Sequence, residues 1–250
     1  MKNFDQLVIK PNLTDIPNPR IGVVALSTDF TIEQDFRRIC HKLPLDIFVN
    51  RIPFNNPCSH ENYLKMIDHL PTIVKEILPQ QKINTLAYGC TSGTIAIGKD
   101  KIESQIHKSK PNTYVTTPIT SAIKAFKKLN IGKIAVLAPY PKLVNKTLFD
   151  YLNNQLIEII NFTSFNLDND SDIAKVDPEF LIDTIKNIDY SNADAIFVSC
   201  TALRILEVLQ DVEDLIKKPV ISSNQSIIWD SIRSVEINSR IEGFGELLLN

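Results

Sequence analysis

Short apolar runs alternate with amphipathic stretches along most of the chain. The apolar runs predict strands over 21–27, 45–51, 85–88, 113–116, 134–138, 157–164, 195–199 and 219–222. The amphipathic stretches predict helices over 31–42, 59–78, 92–108, 118–129, 142–154, 177–188, 202–215 and 224–237. Ser59 can cap the helix that follows it, and Pro178 follows Asp177 at a first-turn position. Strand–helix alternation at this spacing predicts a parallel α/β architecture. Ligands of such sheets sit beyond the carboxyl ends of the strands. The final stretch, 239–250, carries no readable pattern.

The pattern also repeats. Thr85-Leu86-Ala87-Tyr88-Gly89-Cys90-Thr91-Ser92 and Ala195-Ile196-Phe197-Val198-Ser199-Cys200-Thr201-Ala202 each read as a buried strand, a small residue, Cys-Thr-small and a helix start. Their cysteines lie 110 positions apart. Arg20-Ile21-Gly22-Val23-Val24-Ala25-Leu26 finds a partner at nearly the same offset in Lys133-Ile134-Ala135-Val136-Leu137-Ala138. Two similar α/β lobes are the simplest expectation. The first is built from 1–117 with 219–250, the second from 118–218. No Gly- or Ser-rich linker separates them, so they pack directly, with Pro118 and Pro219 near the crossings.

Composition narrows the classes. A net charge of -2 offers no electrostatic case for nucleic acid or an anionic membrane. No apolar run reaches the roughly 18 residues of a membrane span. Residues 1–19 lack the apolar stretch of a signal peptide, so a cytoplasmic location is expected. The 4 cysteines form no CxxC pair, which argues against a zinc site or a disulfide framework. Cys90 and Cys200 are then expected as free thiols, with no metal.

A thiol at a strand end and helix mouth meets unpaired backbone N–H groups and can act as nucleophile or base. The same N–H groups, with the hydroxyls of Thr91 and Ser92, suit a carboxylate or an enediolate oxygen. Cys200, Thr201 and the Ala202 N–H repeat the arrangement on the facing lobe. The alternative for each cysteine is a buried structural role. Two matched contexts favour a catalytic pair. Tyr140 ends a strand of the second lobe and can donate to a substrate carboxylate, or pack at a lobe interface. Asp29 ends the first strand, where it binds a polar substrate group or caps the next helix. Arg51 is an anion anchor or a surface ion pair. Cys40 reads as core, and Cys58 as a loop residue. No histidine stands out, which argues against Ser–His or Cys–His hydrolysis.

On Gly89-Cys90-Thr91-Ser92-Gly93-Thr94, Ser199-Cys200-Thr201-Ala202-Leu203 and Ala138-Pro139-Tyr140, the chain resembles the aspartate/glutamate racemase superfamily. Within it, the Cys-Thr-Ser-Gly-Thr form is most similar to the maleate isomerase and arylmalonate decarboxylase branch. The run from Leu26 to Arg37 looks closest to the ectoine-utilisation members of that branch. The resemblance implies two pseudo-symmetric Rossmann-like lobes with the active site between them, no cofactor, and a homodimer. It implies a small carboxylic acid as substrate, an amino-acid derivative or a dicarboxylate. Cys90 and Cys200 become the catalytic pair. Thr91, Ser92, Tyr140 and Thr201 bind the carboxylate, and Asn145 assists.

Asp29 departs from the branch, where maleate isomerases carry Asn; a carboxylate there repels a dicarboxylate unless it is protonated or paired with a cation, and it suits a substrate with an amino, amidino or amide group. Arylmalonate decarboxylases have one of the two thiols, so decarboxylation fits less well. The expected activity is racemisation or isomerisation by two thiols. The alternatives are cis–trans isomerisation of maleate by covalent Cys90 addition, and decarboxylation. A non-catalytic binding protein has no need of matched thiols.

Overall fold

The computed structural model describes residues 6–250. The first half of the chain runs β1 (Arg20–Leu26), α1 (Ile32–Cys40), β2 (Asp46–Ile52), α2 (His60–Lys65), α3 (Leu70–Lys75), β3 (Thr85–Gly89), α4 (Thr91–Ile97), α5 (Lys99–His107), β4 (Tyr114–Thr116) and α6 (Pro118–Lys128). The second half runs β5 (Lys133–Ala138), α7 (Lys142–Asn154), β6 (Glu158–Ser164), α8 (Asp170–Ala174), α9 (Pro178–Asn187), β7 (Ala195–Val198), α10 (Leu209–Ile216), β8 (Val220–Ser222) and α11 (Ser223–Arg233). The strands form two four-stranded parallel sheets, ordered β2-β1-β3-β4 and β6-β5-β7-β8. All eight expected strands are present, and the two lobes repeat one topology.

The sheet order decides where chemistry can happen. In each sheet the chain leaves the inner pair of strands toward opposite sides, which opens a crevice at their carboxyl ends. In the first sheet those ends deliver Asp29 and Cys90; in the second they deliver Tyr140 and Cys200. The inner strands are buried on both faces, and β3 and β7 are buried at every position. This is why they read as unbroken apolar runs. Helix α1 shows the other period: Ile32, Phe36, Ile39 and Cys40 are buried while Arg37 and His41 face solvent.

Helices α6 and α11 follow the last strand of each sheet and pack against one another. Helix α11 also covers β3 and β4 of the first sheet. Phe126 of α6 meets Phe197 of β7 edge to face, ring centres 5.5 Å apart. Each lobe is thus closed by a helix that the other lobe's sheet leads into. The strand expected to begin the return to the first lobe, Val220–Ser222, is instead the edge of the second sheet. The return begins with α11.

Four helix expectations need correction. The stretch 59–78 is α2, a 3₁₀ turn at Met66–Asp68 and α3, because Pro71 supplies no N–H to continue one helix. The stretch 92–108 divides at Gly98, whose φ of 91° ends α4 and turns the chain into α5. The stretch 202–215 starts late, through a 3₁₀ turn at Ile205–Glu207. The stretch 224–237 stops at Arg233. Two elements were not expected. One is α8, and the other is a 3₁₀ turn at Glu246–Leu249 that buries Leu247 and Leu248.

The α6–α11 seam holds a buried carboxylate. Asp230 of α11 accepts from the hydroxyls of Thr116 (2.5 Å), Ser121 (3.0 Å) and Tyr114 (3.0 Å), and from Lys124 Nζ (2.8 Å). Lys124 is 42% exposed, so the ion pair itself contributes little; the hydroxyls depend on the acceptor. Asp230→Ala leaves the buried Thr116 and Ser121 hydroxyls with only each other (2.6 Å) and is expected to cost about 1–3 kcal/mol. Urea unfolding measures this, and a loss below about 0.5 kcal/mol would mean that the seam does not depend on it.

Candidate active site

The first cysteine motif is shaped by two glycines. A Cβ on Gly89 would come within 2.6 Å of Ile32 Cδ1 and 3.1 Å of the Val24 carbonyl. Only a glycine lets β3 run this close to α1 before the thiol. A Cβ on Gly93 would come within 2.8 Å of both Cys90 Sγ and Met66 Cε. Gly93 sits in the first turn of α4. The space it leaves is filled by the sulfur, which accepts the Gly93 N–H at 3.2 Å. Cys90 therefore caps α4 with its side chain.

The second motif reaches its place differently. Cys200 is not followed by a helix, contrary to expectation. It has φ of 125°, a left-handed conformation that costs a non-glycine residue on the order of 1–3 kcal/mol. The Ala202 N–H lies 3.4 Å from its sulfur. The Cys200 N–H is held by Ser223 Oγ at 3.0 Å. That same oxygen accepts the Thr91 hydroxyl at 2.9 Å. Ser223, the first residue of α11, thus ties the two Cys-Thr motifs together across the lobes. Nothing in the local residue order points to it, since a serine at a helix start reads as a cap.

Both thiols are buried, and burial pushes both well above the ordinary thiol value. The Gly93 N–H opposes this at Cys90, while the charges of Asp170 and Cys200 add to it. At Cys200 the charge of Asp170 adds to the rise, and the Ala202 N–H and the Tyr140 hydroxyl oppose it. Tyr140 is buried, with its hydroxyl against Ser92 and Cys200. It joins the Ser92 hydroxyl to the second thiol. The structure therefore brings Cys90, Thr91, Ser92, Tyr140, Cys200, Thr201 and Ala202 to one seam.

The other expected residues take more specific places. Asn145 gives its amide hydrogens to the Tyr140 carbonyl (2.5 Å) and Ser164 Oγ (2.8 Å), so it fixes the turn that carries Tyr140. Asp29 does cap the first helix: its Oδ1 accepts the N–H groups of Thr31 (2.7 Å) and Ile32 (2.9 Å). Its Oδ2 has no partner within hydrogen-bond distance, and burial pushes the carboxyl up, opposed by the Ile32 and Thr31 N–H groups and the nearby Thr201 side chain. The Thr201 carbonyl accepts from Asn224 (2.8 Å), which also holds the buried Asp35 (2.7 Å), a carboxyl that burial pushes up to about 7. Arg51 is no free anion anchor. Its guanidinium donates to the carbonyls of Leu26 (3.0 Å) and Asp29 (2.7 Å) and to Glu33 (3.0 Å).

Cys58 and Asp170 belong to this site, although sequence reasoning set Cys58 aside and missed Asp170. Cys58 Sγ lies 3.6 Å from Asp170 Oδ1, and Asp170 Oδ2 accepts the Thr28 hydroxyl at 2.5 Å. Beside them, between α2, α4 and α7, opens a cavity of about 560 Å³ lined by Cys58, Tyr63, Ser92, Ala96 and Val144. Ser92 lines both the thiol seam and this chamber, which marks a route to the thiols.

The family model described as arylmalonate decarboxylase matches residues 59–248. The maleate isomerase of Geobacillus stearothermophilus is 25% identical over 247 residues, covering 92% of this chain and 96% of that protein. A crystal structure of a maleate isomerase from Pseudomonas putida with maleate superposes with a TM-score of 0.85 at 20% identity, covering 92% of this chain and 97% of that one. The Nocardia farcinica maleate cis-trans isomerase with a covalently bound succinylcysteine intermediate gives a TM-score of 0.85 at 18% identity, covering 92% and 98%.

Two outcomes are expected from this geometry. Gly93→Ala pushes a methyl into Cys90 Sγ, so kcat is expected to fall at least about tenfold while unfolding stability changes by less than about 1.5 kcal/mol. Unchanged turnover would show that the sulfur does not need this seat. Because both thiols are raised and a thiolate is the reactive form, kcat/KM is expected to rise with pH. The slope is close to tenfold per unit between about pH 6 and pH 8. A profile flat over that range would place the reactive group elsewhere.

Proposed function

The chain belongs to the arylmalonate decarboxylase family, and from that premise we propose that it is an isomerase of small cis-unsaturated carboxylic acids working by reversible thiol addition. The observation that carries this reading is the Cys90 sulfur, seated on the Gly93 N–H at 3.2 Å and opposed by a second buried thiol with its own N–H donor. One thiol adds and the other moves a proton.

In this scheme the Cys90 thiolate attacks a carbon of the C=C bond and forms a C–S bond. The π electron pair moves to the neighbouring carbon, next to the substrate carboxylate, and spreads onto its oxygens. The Cys200 S–H protonates that carbon. The former double bond is now single and turns. Cys200 then takes the proton back, the trans double bond reforms, and the Cys90 thiolate leaves. No electrons are gained or lost overall. The charge that develops on the carboxylate is where the hydroxyls of Thr91, Ser92 and Tyr140 contribute most, since donors fixed in a dry site stabilise such charge strongly.

Racemisation, the activity first expected from the paired thiols, uses the same groups but moves only protons. The succinylcysteine held by the Nocardia farcinica relative supports addition in preference to it. Decarboxylation is served by one thiol and leaves the second without a task.

The test is intact-mass spectrometry of Cys200→Ser, which keeps the nucleophile and weakens the proton donor. Incubated with cis-unsaturated acids, it is expected to gain the mass of one substrate. Cys90→Ala does not, and each single variant loses at least about 10³-fold in turnover. Deuterium entry at the α-carbon of saturated acids, without any adduct, would instead establish the racemase.

A further inference from the structure

We propose that the end of the substrate remote from its reacting carboxylate is a nitrogen group that donates hydrogen bonds, held between Asp29 and Asp170. The preferred acid is then a monocarboxylate bearing an amide or an ammonium, not a dicarboxylate. This deepens the isomerase reading and rests on the same seam.

Three observations converge. First, Asp29 is 3% exposed, and its Oδ2 has no hydrogen-bond partner. A buried carboxylate oxygen left unpaired is costly, and a bound donor is the natural means of satisfying it. The Thr201 side chain, next to the second thiol, lies near enough to favour the charged carboxyl, but it makes no bond to Oδ2 and burial outweighs it. Second, Asp170 enters from the opposite lobe, is 5% exposed, and stands near enough to both Cys90 and Cys200 for its charge to raise each of them. Its known partners are one hydroxyl, of Thr28, and one thiol, of Cys58. Third, among the described residues no Lys, Arg or His forms an ion pair with either carboxyl. Arg51, the nearest guanidinium, is spent on backbone carbonyls and Glu33.

The seam is therefore polarised. One part offers the donors Ser92, Thr91 and Tyr140, and the other offers two carboxyl groups with no cation between them. A second substrate carboxylate would add negative charge beside two carboxyls that burial already pushes upward. An N–H group brings the donor that Asp29 Oδ2 lacks, and charge-assisted bonds of this kind are among the stronger ones. Burial and mutual repulsion push Asp170 upward, and a bound ammonium would draw it back down. The competing explanation is that Asp170 only latches the lobes through Thr28.

Calorimetric binding of saturated, unreactive analogues to the wild-type protein separates these ideas without needing turnover. Succinamate or 4-aminobutanoate is expected to bind at least about tenfold more tightly than succinate. The amide binding more tightly than the amine points to hydrogen bonding, and the reverse points to charge. Asp29→Asn and Asp170→Asn are each expected to weaken the nitrogen-bearing acid about tenfold and to strengthen succinate, since Asn keeps the volume and the Thr28 contact. Tighter succinate in the wild type, or equal weakening of all three ligands in both variants, overturns the proposal even if Cys90 forms its adduct. Tighter nitrogen-bearing acids with no Cys90 adduct leave this proposal standing and overturn the isomerase.

Discussion

A single hydroxyl joins the halves of the reaction centre. Ser223 Oγ takes the Cys200 N–H on one side and the Thr91 hydroxyl on the other. Without an acceptor at that point, the left-handed backbone at Cys200 would carry its strain with a buried N–H unpaired as well. Ser223 can stand there because α11 begins directly at the end of β8 and is fixed by a capping box between Ser222 and Gln225. The helix then crosses to pack on the other sheet. The crossing that closes the fold is the same feature that sets the distance between the thiols.

Burial makes the thiols selective and hard to ionise at once. The protein offsets this with local donors: Gly93 N–H for one sulfur, Ala202 N–H and the Tyr140 hydroxyl for the other. No basic side chain hydrogen-bonds to either sulfur among the described residues. Fixed dipoles replace a cation. They stabilise a thiolate without forming a tight ion pair that would hold the substrate's negative charge in the wrong place. Asp170 works against ionisation of both thiols. A carboxyl kept in so unfavourable a place is more readily understood as a contact to ligand than as part of the thiol chemistry.

The lobes meet through contacts of the same modest kind. The Thr31 hydroxyl donates to the Ala202 carbonyl (2.9 Å), the Cys58 N–H to the Asp168 carbonyl (2.7 Å), and Arg38 pairs with Glu207 at the rim (3.1 Å). Each is a hydrogen bond or exposed ion pair of about 1 kcal/mol or less. The α6–α11 packing adds the Asp230 hydroxyl network and the edge-to-face contact of Phe126 with Phe197 of β7. Between α2, α4 and α7 the 560 Å³ chamber opens, with Ser92 in its lining.

Much of this molecule is legible in its residue order. Unbroken apolar runs mark strands covered on both faces, and all eight are where the runs lie. The repeat of Gly89-Cys90-Thr91 and Ser199-Cys200-Thr201 located two thiols at equivalent strand ends, because a parallel α/β unit delivers its strand ends to one edge of the sheet. Residue order did not disclose that only the first thiol precedes a helix. Strand–Cys–Thr–small describes a helix mouth and a left-handed turn equally well, and Ser223, 23 residues further on, decides between them. Cys58, Asp170 and Ser223 were likewise hidden. Each lies on a segment whose local pattern is ordinary, and each acquires its role from a neighbour more than 100 residues away or from the opposite lobe. The two lobes and the paired thiols can be read from residue order, the lobes from short-range periodicity and the thiols from the repeated motif. Which charges face those thiols was decided by the tertiary structure alone, because the cost of a buried carboxyl depends on what packs against it and not on its place in the chain.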